Sequence, residues 1–358
     1  TQVLGRLPFA LRSRWHAALS AMALMFLVSF QDFELVSLIG RPAWTVWLFD
    51  AQVQGLALGE SLRLVILPAV CQIVVLAPVA WWIVANRSLS AARESDSTSS
   101  ARRRLPGDLM FLLLASGLVV IIPALLVGQG TLDGLARVAR NTDQLRSLMR
   151  EILIGAGYAL AAAIASSLAA APLLQNARPS RLARATVAAC ALPGLFGSLV
   201  LSLAIIRLLQ LPYLHVLYKT PLALAGGLTL FLLPRALVLR LMLSSSPGRE
   251  GVHLARLLGR SPARAVRAAA RELAWQLQWR GEFWSVALLT YWAYLDLTIA
   301  YLVAPVTIVS APVTLYNQMH FGKNAVLSAL VFLAVFVPAL LFVLASASRR
   351  FLFRWFGR

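Results

Sequence analysis

Apolar residues in this chain come in long unbroken blocks, and polar residues gather between them. Eight blocks, each close to the roughly 20 residues that a helix needs to cross a bilayer, fall at 15–30, 61–84, 108–127, 152–174, 186–209, 221–243, 283–303 and 325–347. None shows the period-2 alternation of a barrel strand, and a lipid-facing backbone must be hydrogen-bonded within its own segment. The pattern predicts an all-α, polytopic membrane helix bundle of about eight transmembrane helices.

The polar segments give this bundle an orientation and an organisation. Lys and Arg are retained on the cytoplasmic side of a membrane, and most of the 33 basic residues fall on one side if both termini are cytoplasmic, Arg235 and Arg240 being counted with that side. The exception follows the third block, where Arg137, Arg140, Arg146 and Arg150 interleave with Leu135, Val138, Leu145, Leu148 and Met149. That spacing predicts an amphipathic helix lying at the outer interface. Residues 86–107 are Ser-rich and basic and are expected to form a flexible cytoplasmic linker.

The stretch from Ala23 to Asp32 resembles that from Ala287 to Asp296, and each copy runs on to a Leu-aromatic-Asp/Asn step, Leu48-Phe49-Asp50 and Leu315-Tyr316-Asn317. A repeat of this kind divides the chain into 1–85, the last two spans of a first membrane unit, and 108–358, a complete six-span unit. The beginning of the chain is accordingly expected to follow about four further spans.

The long cytoplasmic segment 244–281 has a helical grammar of its own. A short helix is expected over 251–258, with Gly259 at the following position where a left-handed residue is easily accommodated. Ser261 then reads as an N-cap and Pro262 as the first position of a second helix, with Val266, Ala270, Leu273 and Leu277 on its apolar face and Arg264, Arg267 and Arg271 on another.

Composition fits this picture and removes others. With 59% hydrophobic residues, 13% charged residues and a mean hydropathy of +0.76, the chain is too apolar to be soluble at 358 residues. The net charge of +19 is spread between apolar blocks and forms no patterned basic face, which argues against nucleic-acid binding. Cys71 and Cys190 both lie inside apolar blocks, and His16, His215, His253 and His320 are scattered, so no metal site or cofactor is expected. No Gly-Lys-Ser/Thr phosphate loop is present and no catalytic constellation stands out, so no enzymatic activity is expected and any energy source must lie in another subunit.

Within the blocks, Ser166, Ser198, Thr290 and Tyr291 are candidate pathway-lining residues, weighed against simple packing between helices. The glycines Gly155, Gly157, Gly194, Gly197, Gly226 and Gly227 read as close-approach points between helices. Asp32 and Asp296 are expected at the outer ends of their spans, where an acid is hydrated.

The segment His253-Leu-Ala-Arg-Leu-Leu-Gly259 resembles the cytoplasmic Glu-Ala-Ala loop of type I ABC importer permease subunits, above all the fused iron(III)-type permeases, with Ala255 and Gly259 retained. Leu7-Pro8 resembles the end of the same motif from a first copy, Ser29-Phe-Gln-Asp-Phe-Glu34 the end of a span in the first half of such permeases, and Pro193-Gly194 a Pro-Gly early in one core helix. Two departures stand out: His253 replaces the expected Glu, and Ala269-Ala-Arg-Glu-Leu273 replaces a Leu-Pro ending. The resemblance implies a multi-pass subunit of the bacterial inner membrane, in contact with lipid, that forms the translocation path for iron(III) or another small solute. Its partners would be ABC ATPase subunits and a periplasmic solute-binding protein, and His253, Ala255, Gly259, Ser261 and Pro262 would form the ATPase coupling loop. Two alternatives stay open: a non-transporting assembly or signalling protein that has lost its coupling motif, and a secondary transporter, which would need ionisable residues or a broken helix within the membrane.

Overall fold

The computed structural model describes residues 42–85, 130–175, 196–218, 220–244, 249–305, 307–319 and 324–356, with single positions at 22, 25, 26, 29–32, 36, 110, 113, 114, 117, 125 and 194. The blocks expected at 15–30 and 108–127, the linker 86–107 and the first half of the block at 186–209 lie largely outside the described residues.

The described chain is helical and contains no strand. Helices α1 (Trp44–Val53), α2 (Leu58–Leu64) and α3 (Ile66–Ala85) come first. They are followed by α4 (Thr131–Arg140), α5 (Thr142–Gln175), α6 (Gly197–Leu209) and α7 (Pro221–Ser244). The short helices α8 (Arg249–Leu258) and α9 (Arg264–Ala274) lead through a π-helical turn at Trp275–Trp279 into α10 (Arg280–Leu295). Helices α11 (Leu297–Val303), α12 (Ala311–Met319) and α13 (Asn324–Phe356) complete the chain.

Among the described residues, three helices are long and apolar enough to cross a membrane, within Thr142–Ala171, Pro221–Arg240 and Ala325–Ser348. The pair α10 and α11 makes a fourth if it is one span, bent by 58°. The block at 283–303, expected to be one continuous span with Asp296 near its end, is therefore two helices with Asp296 at the break. Prolines 78, 234 and 338 sit inside α3, α7 and α13. Such positions are tolerated in membrane helices because neighbouring helices re-satisfy the freed backbone groups.

The core lies between α5, α7, α10 and α13. Helix α5 contributes a stripe of small residues, Ala159, Ala162, Ala163, Ser166 and Ala170, all buried, which lets α7 approach with Leu228, Leu232 and Ala236. A second cluster joins Leu48 and Val65 to Leu199, Val200 and Leu203 of α6, so the early helices are packed onto the later unit.

At one end of the bundle Arg240 of α7 and Glu282 of α10 form an ion pair at 3.1 Å, and the Phe283 and Phe342 rings meet edge to face at 6.3 Å. The last turn of α7, the first turn of α10 and the later part of α13 thus lie together, and α8 and α9 project from this end. At the opposite end, the amphipathic stretch expected after the third block is two helices in place of one. Chain direction changes at Asn141, whose side-chain oxygen accepts from the Gln144 N–H at 3.3 Å and caps α5. The apolar face is turned into the bundle: Val138 and Leu148 are buried, and α4 lies on the start of α13. Gly134 makes this docking possible, because a Cβ there would overlap the Ala325 carbonyl and stand 2.8 Å from the Ala329 Cβ.

Replacement of Gly134 by Val should therefore push α4 off α13, with a destabilisation on the order of 1–3 kcal/mol, as for overpacking in a close-packed core. Gly157→Ala, at a position with nothing within 4 Å, should leave stability unchanged. Thermal unfolding of the two variants in detergent measures the difference, and equal midpoints would show that α4 is not docked through this contact.

Candidate functional site

The residues Leu295-Asp296-Leu297 carry the break in the α10–α11 span. Asp296 is extended, with φ −69° and ψ 106°, so the helix cannot continue through it. Its carboxylate accepts the Ile299 N–H at 2.8 Å, making it the N-cap of α11. The first N–H groups of a helix have no intrahelical partner, and inside a bilayer no water is at hand to supply one. An Asp at this point resolves the backbone problem by introducing a charge, and the charge has to be managed in turn.

Two side chains address it, and a second acid nearby opposes them. Asp296 is buried and takes a hydrogen bond from the side chain of Ser198, at the start of α6. Arg235, on α7, is also buried, with 5% of its surface exposed, and lies within electrostatic reach of Asp296. It forms no ion pair with that acid. The Arg235 guanidinium instead donates to the Phe231 carbonyl at 2.7 Å and sits 3.9 Å above the Phe231 ring centroid. Asp32 also lies within electrostatic reach of Asp296.

Beside this group, Gln31 is 5% exposed, and neither its amide nitrogen nor its amide oxygen has a hydrogen-bond partner. It presses on Gly197, where φ is +84° and an added Cβ would lie 2.8 Å from the Gln31 Cβ. Glycine is required there on both counts. A buried amide with no partner is costly in a protein interior, and here it stands against the residue next to Ser198. Chain segments distant in sequence thus bring two acids, a base, an amide and a hydroxyl together inside the bundle.

Of the four pathway candidates, the structure brings one to this site. Ser198 binds Asp296. Ser166 and Thr290 are buried but donate to carbonyls of their own helices, Ala163 at 3.0 Å and Val286 at 2.8 Å, and so serve packing. The Tyr291 hydroxyl reaches across to the Val335 carbonyl at 3.4 Å, tying α10 to α13. Sequence reasoning passed over Arg235 and Gln31. The signal for Arg235 was present, since an ionisable residue within an apolar block is a functional candidate by default, but it was counted with the cytoplasmic basic residues. Gln31 lies in the Ser29–Glu34 stretch that carries part of the permease resemblance, but nothing there marks it as a buried amide.

The coupling-loop candidates lie on α8, α9 and the turn between them, a self-packed helical hairpin. Ala255 and Ala270 are buried, while Leu254 and Leu257 are 51% and 50% exposed. Gly259 and Pro262 are exposed and Ser261 is half-buried. The His253 side chain lies outside the described residues. Two local expectations are corrected. Gly259 is not among the left-handed glycines, because α8 ends by tightening: the Gly259 N–H bonds to the Ala255 carbonyl at 2.9 Å and the Arg260 N–H to Leu257 at 3.1 Å. The second helix begins later than expected, with Ala263 as its N-cap. Ser261 instead closes a small turn by accepting the Ala263 N–H at 3.4 Å, and Arg267 reaches back to the Ser261 and Pro262 carbonyls at 3.3 and 3.2 Å.

A double-mutant cycle separates the two roles of Asp296. Asp296→Asn keeps a capping side chain but removes the charge facing Arg235, whereas Asp296→Ala removes both. Because Arg235 is near Asp296 without pairing to it, the Asn variant should lose less than the about 3–5 kcal/mol that breaking a buried ion pair costs, and the lost cap adds about 1 kcal/mol in the Ala variant. Arg235→Met in the Asp296→Asn background should recover much of the first loss, measured by unfolding in detergent. Strict additivity of the two substitutions would show that Arg235 and Asp296 are not coupled.

Comparison with protein-family models, with characterised proteins and with solved structures finds no match to this chain, and its function is argued from the side chains themselves.

Proposed function

We propose that the chain is the membrane subunit of an importer driven by separate ATPase subunits, of the type I ABC kind, with eight spans and both termini on the cytoplasmic side of a bacterial inner membrane. The α8–α9 hairpin is the docking element for the ATPase, and the polar group around Asp296 belongs to the translocation path. A periplasmic binding protein delivers the solute, with iron(III) among the small solutes that the motif resemblance implies.

The observation that carries this reading is the hairpin. A connection between two spans needs only a few residues, yet this one contains two helices packed on each other, with Ala255 and Ala270 buried. Its turn is pinned by Arg267, and the exposed pair Leu254 and Leu257 stands one turn apart on α8. A rigid element with an apolar edge at the cytoplasmic end suits insertion into a groove of a partner. The small residue of the motif, Ala255, acts in this reading by closing the hairpin, and the contact surface falls to its neighbours.

A second reading, an ion-coupled secondary transporter, is favoured by the break at Asp296, since broken helices with ionisable groups are a feature of that class. The two differ in energy source. Solute uptake into membrane vesicles should require ATP, be blocked by vanadate and survive a protonophore; the opposite pattern would favour ion coupling.

The joint variant Leu254→Glu, Leu257→Glu should lose co-purification of an ATPase and at least tenfold of ATP-dependent uptake, because two charges would have to enter an apolar groove. Its level in the membrane should stay unchanged. Retention of the ATPase would leave the hairpin as a connector and favour a non-transporting protein or the second reading. For the eight-span arrangement, reporters fused at Ser97 and Arg264 should lie in the cytoplasm and one at Asn317 outside; finding Ser97 and Arg264 on opposite sides would rule it out.

A further inference from the structure

A second polar cluster, separate from the Asp296 group, lies where α5, the end of α10 and the start of α12 meet. Glu151 of α5 is its acid. Thr314 of α12 donates to one carboxylate oxygen at 2.7 Å and Ser147 to the other at 3.2 Å. No basic residue forms an ion pair with Glu151 among the described residues. Tyr294, on the last turn of α10, lies within electrostatic reach of Glu151, and its hydroxyl is buried without a hydrogen-bond partner. Ser310, just before α12, also has a buried hydroxyl with no partner. The two residues are 3% and 8% exposed.

Tyr294 and Ser310 face the same point. A Cβ placed on Gly155, one turn after Glu151, would stand 3.5 Å from the Tyr294 ring and 3.6 Å from the Ser310 Cβ. These are ordinary contact distances, so the absent side chain leaves room for about one methyl group between the Tyr294 ring and the Ser310 Cβ. Gly155 and Glu151 are half-buried and Ser147 is exposed, which leaves this spot open on one side.

The chemistry of the lining selects the ligand. A carboxylate held in place by two hydroxyl donors keeps its charge and further lone pairs, and the two unpartnered hydroxyls add oxygen acceptors. No His or Cys belongs to the set, so the donors are hard oxygens suited to a hard cation and unsuited to a soft metal. The Tyr294 ring beside them is a surface on which an ammonium group can also rest. We propose that Glu151, Tyr294, Ser310 and Thr314 form a binding site for a small monovalent cation, either an alkali-metal ion or the ammonium group of a solute. The proposal does not depend on what drives transport.

The test uses the purified full chain in detergent. Its unfolding temperature is followed while NaCl, KCl or methylammonium chloride replaces N-methylglucamine chloride at constant ionic strength. Binding predicts a saturable rise with at least one of the three probes. A rise with Na⁺ or K⁺ assigns the site to an inorganic ion, and a rise with methylammonium alone assigns it to a solute's ammonium group. Glu151→Gln should abolish the rise. Tyr294→Phe and Ser310→Ala, which remove one hydroxyl each and leave the packing intact, should each weaken the apparent affinity by about tenfold, as for loss of a hydrogen bond to a charged group. Absence of a saturable rise with any probe, or a rise that Tyr294→Phe and Glu151→Gln leave unchanged, would overturn the proposal and leave the hydroxyls to internal water.

Discussion

Backbone hydrogen bonding within a bilayer is the constraint on which the rest of this structure depends. A helix that crosses without interruption satisfies its own groups, as most of α5, α7 and α13 do. At Asp296 the chain stops and restarts inside the packed bundle, and the first N–H groups of the new helix need a partner there. The carboxylate of Asp296 supplies it at 2.8 Å. From that single contact follow the Ser198 hydroxyl, the buried guanidinium of Arg235 on the neighbouring helix, and the glycine turn at Gly197 that brings α6 close.

The two ends of the bundle use polar residues in contrasting ways. At the hairpin end, Arg264 and Arg271 are exposed, and Arg267 closes a turn by binding carbonyl oxygens. Charge there is hydrated and serves local geometry. Toward the other end, Asp296 and the Tyr294 hydroxyl are buried, where each polar contact is stronger because competing water is scarce.

The legible part of this fold is the part set by composition and periodicity. The blocks at 152–174, 221–243 and 325–347 lie within α5, α7 and α13, and the two-helix grammar of 244–281 corresponds to α8 and α9. Hydropathy could not locate the break at Asp296, because a single Asp near the end of an apolar run looks the same whether it meets water or caps a new helix. Arg235 was hidden by its position late in a block, where a base commonly snorkels to the surface. The glycines show the same limit: Gly155, Gly194, Gly197 and Gly227 do lie against neighbouring residues, but Gly157 and Gly226 have nothing within 4 Å, and no local pattern tells the two groups apart. Partners of this kind are set by which helices become neighbours, and hydropathy does not encode that.

The ion pair between Arg240 and Glu282 has a mechanical consequence. It joins α7 and α10 at the base of the hairpin, where Gly281 also lies directly against Leu243. Two helices fastened at one end slide past each other with difficulty, so a load applied to the hairpin travels along α10 as along a strut. The first point at which that strut has no continuous hydrogen-bond ladder is Asp296, with a 58° bend already in place. A displacement of the hairpin would therefore emerge as a change of angle beside the buried charges, 22 residues beyond the end of α9.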